Sequence, residues 1–162
     1  MRPLLLVPLL LGLSSCGLGN LVSGCRSDYV RPNFAALQRD LSAARVRWQT
    51  TNVQNYRYDF SQFAAPVGFP PIRVTVTGGV VSSTENLDDR PGPSAASFGA
   101  TIEQRFDEIA QGLSASKNEQ CELFSVDFDV SDGHPLKRLS GTAKRGLEDG
   151  FGQWEIGNFT RL

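Results

Sequence analysis

Four side chains close together offer the densest chemistry in this chain. In "VDFDVSDGHP", Asp127, Asp129 and Asp132 precede His134, the only histidine among 162 residues. Carboxylates at alternate positions followed by Asp-Gly first suggest a calcium loop. An EF-hand loop needs glycine at its sixth position and glutamate at its twelfth. Counted from Asp127, those places hold Asp132 and Arg138. The motif fails at both, and a strand's outer face ending in an Asp-Gly turn is the plainer reading. Asp127, Asp129 and Asp132 are left as candidates for a surface cation. His134, oriented by Asp132, could serve a Ser-His-Asp or Cys-His site. However, it sits between Gly133 and Pro135, and no G-x-S-x-G elbow supplies a nucleophile. One histidine without a paired-cysteine motif gives no zinc ligand set, and "TGGVV" lacks both the glycine spacing and the lysine of a phosphate loop. No catalytic residue is therefore assigned, and no cofactor is implied.

Charge narrows the partners. Lysine and arginine number 16 against 17 aspartates and glutamates, for a net charge of −1. Nucleic acid needs a basic footprint, which such a balance does not supply. The pairs Lys137-Arg138 and Lys144-Arg145 read as surface charge, offset by Glu148 and Asp149.

The three cysteines speak to location. "MRPLLLVPLLLGL" places one cation, Arg2, before an apolar run from 4 to 13 interrupted only by Pro8 and Gly12. That is the pattern of an export signal, too short for the roughly 20 residues that span a bilayer. No alanine precedes Ala35, so the usual A-x-A cleavage site is missing. "LSSC" resembles instead the bacterial lipoprotein signal, in which an aliphatic residue and two small ones precede a cysteine that is lipidated and becomes the new N-terminus. Leu13-Ser14-Ser15-Cys16 fits, and so in isolation does Val22-Ser23-Gly24-Cys25. Cys16 stands where the apolar run ends, whereas Cys25 lies beyond Ser14, Ser15, Gly17, Gly19 and Asn20. Cys16 is the expected lipidation site and Cys25 the alternative. Residues 1–15 are then a signal peptide, 16–32 a lipidated tether and 33–162 a single domain. Thiols pair outside the cytoplasm. With Cys16 acylated, parity favours a Cys25–Cys121 disulfide; the alternative is that Cys121 is a small buried hydrophobe.

The elements around these residues follow from periodicity. Phe34, Leu37, Leu41, Ala44 and Trp48 form one face of a helix behind an Asn33 cap, with Trp48 in the core. Tyr56, Tyr58 and Phe60 alternate in a half-buried strand, and "AAPVGFPP" reads as a loop. Ile72, Val74 and Val76 lead through Gly78-Gly79 into a hairpin. The 85–100 stretch reads as a long exposed loop where a partner could be held. Thr101 and Gln104 form a capping box ahead of a stripe of Ile102, Phe106, Ile109 and Leu113. "CELFSVDFDV" is the strongest strand, "LKRLSGTA" its return, and "FGQWEIGNF" a weaker last strand thinned by glycines. The order α-β-β-β-α-β-β-β predicts an α+β fold. Its expected form is a two-layer sandwich: an antiparallel sheet of about five to six strands with two helices on one face.

Trp48, "YRY", "RVTVTGGVV", "TIEQRFDEI" and "FSVDFDVSDGHP", in that order, resemble a family of exported bacterial domains of unknown function. The similarity spans about residues 45–140. Many members carry a C-x-C pair after the Y-x-Y strand, and here "SQFAAP" stands in its place. The resemblance implies an exported, often lipid-anchored domain and supplies no catalytic residues. Three functions are thus in contention. The first is a non-enzymatic binding or accessory domain, monomeric, exported and anchored to the bacterial cell envelope by its N-terminal lipid, with an envelope protein as a potential partner. The second is an envelope enzyme using the Asp127/Asp129/Asp132/His134 cluster. The third is a protein inhibitor presenting the 85–100 loop.

Overall fold

The structure, a computed structural model, describes residues 24–147 and 150–162. Cys16, the expected lipidation site, lies outside the described residues, as do Glu148 and Asp149. Helix α1 (Phe34–Thr51) starts where the Asn33 side chain accepts the Ala36 N–H at 3.0 Å, satisfying a donor that a helix start leaves unpaired. Leu41, Ala44 and Trp48 of its stripe are buried, with Phe34 and Leu37 at the margin. Helix α2 (Ile102–Ser116) has the full capping box: the Gln104 N–H donates to Thr101 Oγ1 at 3.3 Å, and the Thr101 N–H donates to Gln104 Oε1 at 2.7 Å.

The strands are β1 (Tyr56–Ala64), β2 (Val67–Gly68), β3 (Ile72–Thr77), β4 (Val80–Asn86), β5 (Glu122–Phe128), β6 (Pro135–Thr142) and β7 (Phe151–Arg161). The protein is therefore mixed α+β, with two helices and a seven-stranded antiparallel sheet among the described residues. Strand order is β4-β3-β1-β7-β6-β5, with β2 paired to the far end of β1. Gly78 and Gly79 take φ of +59° and +75° at the β3–β4 turn, the conformation that a tight hairpin needs.

Three details depart from expectation. The "AAPVGFPP" loop contains the short strand β2. Glu85 and Asn86 close β4, and Ser94 caps a 3-10 turn, Ala95–Phe98. Ala95 is buried there and the Phe98 ring meets Phe69 at 5.3 Å, so the second half of the 85–100 stretch lies against the domain. The weak-looking last strand is the 11-residue β7, inserted between β1 and β6. Pairing on both edges, with Trp154 and Ile156 buried, overrides the low strand propensity of its glycines.

The core joins Tyr56, Tyr58, Phe60, Ile72, Val74 and Val76 to the apolar stripes of both helices. The two tyrosines also hold polar ends in place. Tyr58 donates to the Ala100 carbonyl at 2.5 Å, and the Tyr56 hydroxyl accepts the Ile102 N–H at 2.8 Å. Burial is the main cause that pushes both phenols up, Tyr56 well above its ordinary range. The N-terminal stretch is stapled down by a disulfide between Cys25 and Cys121, whose Cα atoms lie 5.2 Å apart. Around it the Arg26 N–H donates to the Ala143 carbonyl at 2.8 Å, and the Arg31 guanidinium donates to the Lys117 carbonyl at 2.6 Å. Closing a span of 96 residues removes unfolded-chain entropy worth roughly 4–5 kcal/mol.

Candidate functional site

The irregularity between Asp127 and Phe128 in the β5–β6 register decides which carboxylates meet. Asp127 stays on the exposed face of β5 opposite Lys137, apart from the others. Past Phe128 the chain turns. The Asp129 N–H donates to the His134 carbonyl at 2.8 Å and the Gly133 N–H to the Asp129 carbonyl at 3.0 Å. Gly133 has φ +85°, and a Cβ there would stand 2.3 Å from the Ala44 carbonyl oxygen of α1. Glycine thus lets the turn run directly against the helix. The result brings Asp129, Asp132 and His134 together, with donor atoms within 4.8 Å of one another. They line an open pocket of about 830 Å³ with Thr51, Phe159 and Arg161.

Within this corner the polar groups bond chiefly to one another and to Arg161. Asp132 Oδ1 accepts the His134 N–H at 3.0 Å and His134 Nδ1 at 2.5 Å, and Oδ2 accepts Arg161 at 3.0 Å. Burial, the largest influence on Asp132, pushes its carboxyl up. The bonds from the His134 backbone, the His134 ring and Arg161 together outweigh it and hold the group below its ordinary value. With Asp132 ionised, Nδ1 carries the shared hydrogen. Asp129 is held low chiefly by the Ser131 hydroxyl, helped by the Asp132 and Ser131 N–H groups. The His134 ring stacks on Phe159 at 4.3 Å, and Trp48 meets it edge-on at 6.4 Å.

Two kinds of chemistry can be weighed against this geometry. For a cation, both oxygens of Asp132 and Oδ1 of Asp129 are already bonded to the turn and to Arg161, and among the described residues Asp129 Oδ2 is the carboxylate oxygen of the group that has no hydrogen bond. An Asp–His pair is the orienting half of a triad. Among the described residues, however, no hydroxyl or thiol is hydrogen-bonded to His134, and the nearby Ser131 hydroxyl points to Asp129. The arrangement braces the turn: Asp132 joins it to β7 through Arg161, and the His134 ring joins it to Trp48 and Phe159.

A second polar cluster was not legible as a site. Arg105 on α2 is 4 % exposed. Its guanidinium lies 3.8 Å over the Phe60 ring, donates to Glu108 at 2.9 and 3.0 Å, and donates to the Phe98 carbonyl. Arg138 on β6 stands beside Val126 and Trp154 on the inward face of the sheet. It lies 5.4 Å over Phe124 and donates to Ser140 Oγ at 3.1 Å. Burial lowers the pKa of Arg138, and no carboxylate lies within salt-bridge distance of it among the described residues. Arg105, Glu108, Arg138 and Trp154 line one pocket of about 280 Å³ with Gln62 and Phe98. Among the described residues, three buried side-chain donors of these same residues, Arg105 Nε, Arg138 Nε and Trp154 Nε1, have no hydrogen-bond acceptor.

Reading Lys137-Arg138 as a surface pair therefore holds only for Lys137, which bonds Glu155 at 2.8 Å. The available signal was the two-residue period of a strand, which sends adjacent residues to opposite faces. For Arg105 it was helical spacing: Ile102, Arg105, Ile109 and Leu113 step by three, four and four along the buried stripe.

Comparison with known proteins adds one match. The model of a family of unknown function, DUF6174, matches residues 40–139. No curated protein matches the chain, and no solved structure matches it. No helix among the described residues is long and apolar enough to cross a membrane.

Proposed function

We infer, from the premise that this chain belongs to the DUF6174 family of unknown function, that it is a membrane-anchored lipoprotein of the bacterial cell envelope whose domain binds or assists rather than catalyses. One observation carries the anchoring. The Cys25–Cys121 disulfide uses two of the three cysteines, which supports Cys16, at the end of the apolar run, as the cysteine that takes the lipid. A structural disulfide also suits an oxidising compartment. Residues 1–15 are the signal peptide, and the several acyl chains of a lipoprotein supply the two or more signals that stable anchoring requires. The stretch from Cys16 to the staple at Cys25 reaches at most about 30 Å when fully extended, so the domain sits close to the bilayer. We read the domain as two-layered, both helices sharing one sheet face, because Leu41, Trp48, Phe106 and Ile109 enter one core with Tyr56 and Val74.

Intact-mass measurement of the protein extracted from membranes tests this reading. The chain should begin at an acylated Cys16, and Cys16→Ser should lack the acyl mass and leave the membrane fraction. A mature chain that starts elsewhere, or a Cys16→Ser variant that is still acylated, sinks the proposal. An enzymatic reading is favoured only by the large pocket collecting Asp129, Asp132 and His134. It requires a hydrolytic activity on chromogenic ester, phosphoester or glycoside substrates that His134→Gln abolishes without unfolding the protein. Nothing in the geometry favours the inhibitor reading, since the 3-10 turn of the 85–100 stretch is folded back onto the domain.

A further inference from the structure

The pocket between α2 and β6–β7 has a surplus of donors and of positive charge. Its formal charges are Arg105 and Arg138 against Glu108, which leaves one cation uncompensated. Glu108 is already engaged by Arg105. Stacking explains how the guanidinium of Arg105 tolerates burial, because Phe60 covers its flat face at 3.8 Å. A ring below the plane does not serve the N–H bonds, which lie in the plane. Arg105 Nε and Arg138 Nε therefore stay unpaired, and the indole Nε1 of Trp154, a residue 6 % exposed, joins them. Native proteins rarely leave even one such donor without a partner. All three belong to side chains that line one 280 Å³ pocket; the donor atoms themselves are closed to solvent, so an acceptor reaches them only as those side chains turn toward it.

We propose that this pocket binds a small organic carboxylate. A monoanion matches the single surplus charge, whereas a phosphate dianion would overshoot it. A carboxylate has two oxygens that accept from a guanidinium edge and an indole N–H together. The apolar walls of Phe98 and Trp154 suit a short hydrocarbon body, and the volume lies at the small end of ligand pockets. The ligand seats against Arg138 and Trp154, with Arg105, held by Glu108 and Phe98, supplying field and shape. This binding goes beyond the anchoring proposal and is independent of it.

The test uses the full chain in non-ionic detergent, labelled with nitrogen-15 on tryptophan alone, so that Trp48 and Trp154 give two indole signals, assigned with Trp154→Phe. Sodium butyrate is titrated at about neutral pH against sodium phosphate and sodium chloride at matched ionic strength. Butyrate should shift the Trp154 indole signal saturably and leave that of Trp48, already bonded to Glu103 at 2.8 Å, in place. Arg138→Gln should weaken the response roughly tenfold or more. As a second measurement, butyrate should raise the Tm of the wild-type protein, and Trp154→Phe should lose most of that rise. A shift that does not saturate, a response equal for phosphate or chloride, or one unchanged in both variants overturns the proposal. Loss of the acyl anchor in Cys16→Ser should leave butyrate binding intact, which separates a failure here from a failure of the anchoring.

Discussion

The 129–134 corner and the arginine pocket handle polar groups in opposite ways. At the corner, each oxygen of Asp132 has a partner, one from the turn and one from Arg161 on β7. Among the residues lining the pocket, three buried donors have no acceptor among the described residues. A buried polar group without a partner costs about 1–3 kcal/mol. A cluster that satisfies itself therefore supports the fold, while one that does not draws on stability gained elsewhere and is poised for an outside partner. The corner is rich in residues that look catalytic and acts as a brace. The pocket is built from residues that look like surface charge and has the unmet valences of a binding site.

Four measurements bear on that contrast, in decreasing order of expected effect. Asp132→Ala should destabilise the protein by roughly 2–3 kcal/mol, because it strands the His134 N–H, its ring and Arg161 at once. Urea unfolding with an unchanged slope reads this directly, and a loss below about 0.5 kcal/mol would show that the corner is no brace. Acid should act through the same residues. A carboxyl held below its ordinary value contributes stability fully above the unfolded value near 3.9 and loses it as pH falls through the folded value. Both Asp129 and Asp132 are held low, so stability should drop as pH falls below about 4, and Asp132→Asn should flatten that drop. Identical acid profiles for the two proteins would remove Asp132 from the account. Arg105→Met should cost about 1 kcal/mol, since it frees Glu108 and the Phe98 carbonyl but also removes a stranded Nε. Arg138→Met should change stability least, by about 0.5 kcal/mol in either direction, because an unpaired half-buried cation contributes little that a methionine does not. A large loss in that last variant would mean that Arg138 is structural and would erase the difference between the two clusters.

Much of the frame was legible because its causes are local. The Asn33 cap, the Thr101–Gln104 box, the Gly78-Gly79 turn and the alternation of Tyr56, Tyr58 and Phe60 each depend on residues a few positions apart. The Cys25–Cys121 pair was within reach of parity, though its alternative was closed only by the coordinates. Of the corner, Asp129, Asp132 and His134 were legible as a group, but the part played by Arg161, far along the chain, was not. Asp127 was grouped with them wrongly, because a register irregularity turns the chain between it and its neighbours.

Local periodicity and capping chemistry thus determined the helices, the hairpin and the α+β class from the sequence by itself, since each is an energy term between near neighbours. Only the tertiary structure decided that the glycine-thinned C-terminal strand runs through the middle of the sheet. The same holds for Arg105 and Arg138, which face inward, and for the Asp–His pair, which closes on Arg161. The physical reason is the same in all three. A strand is stabilised by the neighbours it pairs with, and a charge is buried or bonded according to what faces it, and those neighbours are set by long-range register rather than by adjacent residues.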